Sequence, residues 1–259
     1  MKKTNGIDMD SLGVKHIELN FDGRKLIAEG KNVEYTTRKL SQMVPVLLDA
    51  EAASDNGNKD TYFMYRAAGV FKNQGLFDSH TMRYDVTVIP SMGIGRELNK
   101  TLGHYHPPAP QGPSYPELYE VIRGKAIILM QKMLPDGGID VLLFNASDGD
   151  RVLVLPDYGH ITINSGTEDL IMANLVNSVF SSDYKPIEAK RGGAVYLLND
   201  GSVLLNKNYE KATITHDAKP ARLPFLDSYK SIYDAFIEMP DKFEFLNNPS
   251  LVDVVSADR

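Results

Sequence analysis

At 259 residues, with 42% hydrophobic and 24% charged residues, the chain has the make-up of a globular protein: one large β domain with extensions, or two small domains. Its formal net charge of −6 and the lack of any basic block exclude the electrostatic footprint of nucleic-acid binding. Cysteine is absent, which excludes disulfides, thiolate ligands and thiol nucleophiles and fits a reducing compartment.

The first residues, MKKTNGIDMDSLGVKHIEL, contain no apolar h-region of a signal peptide. No apolar run approaches the ~20 residues of a membrane span, so a cytoplasmic protein without a membrane partner is expected. Residues 1 to about 35 alternate weakly in VKHIELNF and RKLIAEG, as a strand pair or an extended arm would. His16 has no ligand-type partner at useful spacing there and reads as a surface or edge residue. In TTRKLSQMVPVLLDAEAAS, residues 36–54, Leu40, Met43, Leu47 and Leu48 fall at helical spacing. Pro45 interrupts them, so a short helix followed by a turn is expected. SDNGNKD, residues 54–60, is a loop by its turn residues.

From Thr61 the pattern changes to short apolar runs: TYFMYRAAGV, RYDVTVIP, ELYEVIRG, KAIILMQKM, IDVLLFN, RVLVLP, HITIN, LIMANLV and GAVYLL. Gly- and Asp-rich turns divide them, with no long helical pattern between, which predicts an antiparallel barrel or jelly roll rather than a parallel sheet. His80 sits in a polar turn and reads as a surface residue. Beyond residue 205, PFLDSYKSIYDAFIEMPDKF puts Leu226, Tyr229, Tyr233, Phe236 and Ile237 on one helical face, with Pro224 near its start and Pro240 at its stop. This aromatic stripe is expected to be core or dimer packing. The organisation expected is an N-terminal arm and short helix (1–60), a β barrel (61–205) and a helical C-terminal extension (206–259).

The chemistry concentrates in TLGHYHPPAPQGPSYPELYEVIRG, residues 101–124. His104 and His106 share one face of a strand because side chains alternate. Glu117 opens the next apolar run, and His160 lies in LPDYGHITIN. Three imidazoles and a carboxylate suit a divalent transition metal: iron, manganese, nickel or zinc. Glu120 is the alternative carboxylate.

These residues resemble the cupin family. Its first motif, an HxH, a glutamate, six residues and a glycine, is matched by His104, His106, Glu117 and Gly124; its second by Gly149, Pro156, His160 and Asn164. The gap from His106 to Glu117 is longer than usual, and that from Pro156 to His160 is one residue short. The proline-rich gap PPAPQGPSYP is expected to loop over the pocket mouth. Within the cupins, RKLSQM, VTVIPSMGIGRELNKTLGHYH and ELYEVIRGKAIILMQ resemble the glucose-6-phosphate isomerases best known from archaea, over roughly residues 35 to 190.

The resemblance implies a cupin double-stranded β-helix, a divalent metal with Fe²⁺ foremost (Mn²⁺, Ni²⁺ or Zn²⁺ as alternatives), a sugar-phosphate substrate and a homodimer. It implies aldose–ketose isomerisation between glucose 6-phosphate and fructose 6-phosphate, by an enediolate or by a hydride shift. Glu117 is the implied base, although a carboxylate bound to a cation is a poor one; Tyr119 shares its strand face and could position substrate or relay a proton, or simply fill the interior. Thr87, Thr101, the backbone of Gly103, and Tyr184 are the implied phosphate cradle. Thr101 and Gly103 are out of phase with His104 and His106 on a regular strand, which predicts a bulge at Gly103. Val176 stands where related enzymes carry a tyrosine, and Lys185 or Lys100, otherwise read as solvated surface residues, could supplement the cradle. The rival readings are a metal-dependent oxygenase, which would want an apolar pocket, and a non-catalytic sugar-phosphate-binding cupin. The metal, the route, activity on mannose 6-phosphate and the purpose of the extensions are left open by the sequence.

Overall fold

The computed structural model describes residues 6–8, 17–20, 25–28, 31–54, 56–69, 71–110 and 112–253; His16 lies outside them. The protein is mainly β, with the two facing sheets expected of a cupin. The larger sheet runs in the order Arg151–Val154, Glu117–Arg123, Leu170–Asn177, Met82–Ile89, Asp60–Tyr65, Tyr35–Lys39, every neighbouring pair antiparallel. The smaller runs Gly159–Asn164, Lys125–Met133, Ile139–Ser147, Ala212–Thr215, the last strand parallel to its neighbour. A separate four-stranded sheet holds Gly6–Asp8, Ile17–Asn20, Lys25–Ala28 and Lys31–Val33.

Strands from beyond both expected barrel limits, 61 and 205, are hydrogen-bonded into the main sheets: Tyr35–Lys39 pairs with Asp60–Tyr65, and Ala212–Thr215 with Ile139–Ser147. Their runs, YTTRK and ATIT, are half exposed and too polar to announce themselves as sheet members.

The larger sheet is covered on both faces. Its inner face shares an apolar core with the smaller sheet, through Val121, Val152, Met172, Ile128, Met130, Val141 and Ile163 among others. Its outer face is packed by a second cluster in which Leu118, Ile122, Tyr84 and Leu175 meet Tyr233, Phe236 and Phe243 from the C-terminal segment. All eight residues of Leu170–Asn177 are consequently buried, which is why LIMANLVN reads as a continuous apolar run and not an alternating one.

The C-terminal segment differs from the single helix expected after Pro224. Pro224–Leu226 is one 3₁₀ turn, and the α-helix, Ile232–Glu238, starts afresh at Ser231, whose hydroxyl accepts a hydrogen bond from the Asp234 N–H at 3.0 Å. Tyr233 and Phe236 do enter the core, Phe236 stacking on Phe77 at 4.6 Å. Pro240 ends the helix and opens a 3₁₀ stretch, Pro240–Leu246. Near the N-terminus, Leu40–Met43 is helical and Pro45 lies in the following 3₁₀ turn, Val44–Val46. Among the described residues, no helix is long and apolar enough to cross a membrane.

Candidate metal centre and pocket

Strand alternation sorts the residues of Glu117–Arg123. Leu118 and Ile122 join the outer core, and Glu120 turns the same way, accepting a hydrogen bond from Arg151 Nε at 3.0 Å and another from the Ile232 N–H at 3.1 Å. Glu117 and Tyr119 face inward. Glu120 is thereby removed as an alternative ligand. The register extends the inner face across the sheet: Glu117 is opposite Val176, which is opposite Arg83, and Tyr119 is opposite Asn174, which is opposite Asp85. The next row joins Val121, Met172, Thr87 and Met64.

His104 and His106 come from the irregular segment that runs beside Gly159–Asn164. Lys100 bridges to Ile163 and His104 to His160, so four steps on one side match three on the other. One residue is therefore extra. Gly103, at φ +86°, absorbs it, and a Cβ there would lie 2.4 Å from Ile161 Cγ1. The expected bulge is present, and it lets Thr101, Gly103, His104 and His106 all line one cavity.

The ligand-type atoms of His104, His106, Glu117 and His160 lie within 4.8 Å of one another. Glu117 Oε2 is 3.3 Å from His106 Nε2 and 3.2 Å from His160 Nε2, and the Nε2 atoms of His104 and His106 are 3.2 Å apart. Ligands at about 2.0–2.2 Å from a common cation stand roughly 3 Å from one another, so the spacing fits a metal ion. His106 Nδ1 lies 2.8 Å from the carbonyl of Tyr115, a contact that requires its proton on Nδ1 and leaves Nε2 bare toward the cluster. Two imidazole nitrogens this close repel unless a proton or cation lies between them. The group can hold a metal ion.

Protonation states agree. Burial, with His160 and His106 nearby, holds His104 well below the usual imidazole range, and burial lowers His160 despite Glu117. Burial pushes the Glu117 carboxyl up, but the His106 and His160 rings beside it outweigh this and hold it well below the carboxylate range. Tyr119, 3.2 Å from His160 Nε2, is raised well above the ordinary phenol range by burial and the Glu117 charge, so it remains a neutral hydroxyl.

Thr87, Thr101, Gly103, Tyr119, Val176 and Tyr184 line the same cavity. Thr101 Oγ1 accepts from the Thr162 N–H at 3.0 Å, leaving its own O–H to donate elsewhere. Tyr184 stands 5.4 Å, ring to ring, from His104, and the Arg38 guanidinium lies over the Tyr184 ring, 5.4 Å from its centroid. From the proline-rich loop, Tyr115 supplies the carbonyl for His106 and stacks at 5.0 Å on Phe180, itself 4.5 Å from the His106 ring. Lys100 is not a surface lysine: it is buried, ion-paired with Glu97 and donating to the Val46 carbonyl at 3.0 Å. Lys185 is exposed, and neither lysine lines the cavity. His80 lies apart, half-buried beside Asp241 at 3.3 Å. Asn164 bridges the Ile89 and Glu168 carbonyls at 2.8 Å each and so fixes a turn.

The cavity also holds residues the sequence reading passed over: Arg66, Arg83 and Asn174. For Arg83 alternation offered a signal, since it shares a strand face with Thr87.

The family model described as "Glucose-6-phosphate isomerase (GPI)" matches residues 37–214. A glucose-6-phosphate isomerase of Thermococcus litoralis is 25% identical over 178 residues, 69% of this chain and 88% of that protein. One from Thermococcus kodakarensis is 27% identical over 171 residues, 66% of this chain and 84% of its own. Among solved structures, a variant of Bacillus subtilis oxalate decarboxylase superposes with a TM-score of 0.34 at 21% identity, covering 48% of this chain and 28% of that one. With more than half its length matched, the chain belongs to the glucose-6-phosphate isomerase family.

Proposed function

We propose that the protein interconverts glucose 6-phosphate and fructose 6-phosphate, with a divalent metal, Fe²⁺ foremost, held by His104, His106, Glu117 and His160. The observation that carries this reading is the convergence of those four ligand-type groups beside a hydroxyl-lined cavity, in a chain of this family. Held there, such a metal would supply Lewis acidity toward the sugar's oxygens. Tyr119, kept protonated, hydrogen-bonds a sugar oxygen and passes a proton between O1 and O2. Glu117, held as an anion by its two imidazole partners, has little basicity left for a carbon-bound hydrogen. We therefore favour direct passage of hydrogen between C2 and C1 over removal by a carbon base. Thr87, Thr101, the Gly103 backbone and Tyr184 orient the phosphorylated end.

The reading is tested by isomerase assays before and after chelation, with Fe²⁺, Mn²⁺, Ni²⁺ or Zn²⁺ restored in turn. Loss on chelation and recovery with a metal are expected; inactivity with every metal, despite a bound ion, would discard it. The polar lining of the cavity argues against an oxygenase, and turnover would exclude a purely sugar-phosphate-binding cupin. We also propose a cytoplasmic homodimer, which light scattering on the purified protein tests: a monomeric mass refutes the dimer.

A further inference from the structure

The inner face of the larger sheet carries two arginines that the family motifs do not account for. Arg66 Nη1 lies 2.5 Å from Asp85 Oδ2, and Arg83 Nε donates to both Asp85 oxygens at 2.8 and 2.9 Å. The Ala67 N–H reaches Asp85 Oδ1 at 2.9 Å. Asp85, 1% exposed, is thus saturated with donors. Two guanidinium cations against one carboxylate leave one positive charge at this edge of the cavity. The Asp85 bonds occupy only part of each fork: among the described residues, the second guanidinium edge of Arg83 makes no other bond, and Arg66 adds only a 3.7 Å contact to Met64 Sδ. Beside Asp85 in register, Asn174 is 3% exposed and lines the cavity, and its amide nitrogen has no hydrogen-bond partner among the described residues. A buried donor is left unpaired at a cost, and buried polar groups are normally satisfied. Arg66 lines the same cavity as His104, His106, Glu117 and Tyr119.

We propose that Arg66 and Asn174 form an anion subsite of this chain that takes the phosphate monoester of the substrate, with Arg83 acting through Asp85 to position Arg66. This rests on the isomerase reading and goes beyond the hydroxyl cradle implied by the family. A phosphate dianion entering a half-buried cavity needs opposing charge, which hydroxyls do not supply; a guanidinium supplies it with a forked donor set. The cavity wall at Val176, between Glu117 and Arg83, offers no hydrogen bond of its own, so the donors on either side of it carry the recognition.

The test is calorimetric titration of the metal-loaded protein with sorbitol 6-phosphate, which cannot isomerise, and with sorbitol as the uncharged counterpart. Arg66→Gln should weaken the phosphate ester by at least about tenfold while leaving sorbitol unchanged. Arg66→Lys should recover part of the loss, since it restores charge but not the fork. Asn174→Asp, nearly isosteric, should weaken the ester by charge repulsion, with circular dichroism confirming the fold. Arg66 is half exposed, and Asp85 keeps Arg83 and Ala67 as donors in the variants. Unchanged ester affinity in Arg66→Gln, with the wild type binding and isomerising normally, overturns this proposal alone. A wild-type protein that holds metal but neither binds the ester nor turns over glucose 6-phosphate overturns the isomerase reading and this subsite together.

Discussion

Glu117 and Glu120 stand three residues apart on one strand and serve opposite faces of the sheet. Glu117 meets two imidazoles in the cavity, whereas Glu120 is clasped by Arg151, which in turn donates to the Leu226 and Tyr229 carbonyls at 2.6 Å each. Removing one member of a buried ion pair strands the other. Arg151→Met should therefore cost about 3 kcal/mol of stability in urea unfolding, while metal content per chain stays at the wild-type value. Equal loss of metal would show that the two faces are not independent.

Replacement of Glu117 by Gln removes the anionic member of the ligand group. Metal analysis after dialysis should show weakened retention, and kcat/KM should fall by at least about a hundredfold, reflecting the several kcal/mol of charge stabilisation involved. Retained metal and retained rate would remove Glu117 from the centre.

Tyr119→Phe keeps the ring and deletes the hydroxyl that lies beside His160. A kcat loss of about a hundredfold with little change in KM is expected if it moves a proton in the reaction. The same assay with substrate deuterated at C2 bears on the route: label retained in the fructose 6-phosphate supports direct passage, and complete exchange with solvent refutes it.

Acid should weaken the metal-free protein in two stages. His104 and His160 are held neutral by burial, so the unfolded chain binds protons that the folded chain refuses, and stability falls as pH drops through about 6.5. Glu117, depressed by its imidazole partners, stabilises above its unfolded range and loses that contribution as pH falls further, below about 4.5. Thermal melts of chelated protein between pH 8 and 5.5 should show a shallower decline for His104→Gln than for the wild type. Parallel curves would contradict this.

Gly103→Ala adds a Cβ 2.4 Å from Ile161 Cγ1 at a positive φ, and should cost on the order of 1–3 kcal/mol. Because the bulge also phases Thr101 against His104, KM for the sugar phosphate should rise as well; an unaltered KM in a folded variant would separate the bulge from substrate binding.

The β class, the HxH pair and its carboxylate were legible because each imposes a tight rule on residue type and spacing: turn residues between short apolar runs, and alternation along a strand. The Gly103 bulge was legible as a conflict of phase between Thr101 and His104. Arg66 and Asn174 were not, since each lies in an otherwise apolar run and only the folded chain brings them to one cavity. Tyr35–Lys39 and Ala212–Thr215 escaped for a related reason: an edge strand need not be hydrophobic. Pro224 fits a helix start but opens only a 3₁₀ turn; the Ser231 and Asp234 pair marks where the helix begins. Lys100 reads as a surface residue until it is paired with Glu97, three residues upstream, which makes its burial possible.

The strand Leu170–Asn177 has neighbours on either side and packing above and below. Its amides should be among the slowest in the molecule to exchange with deuterated solvent, opening only with global unfolding. Asn174 and Val176 belong to that strand, so the floor of the cavity should be the last part of it to open.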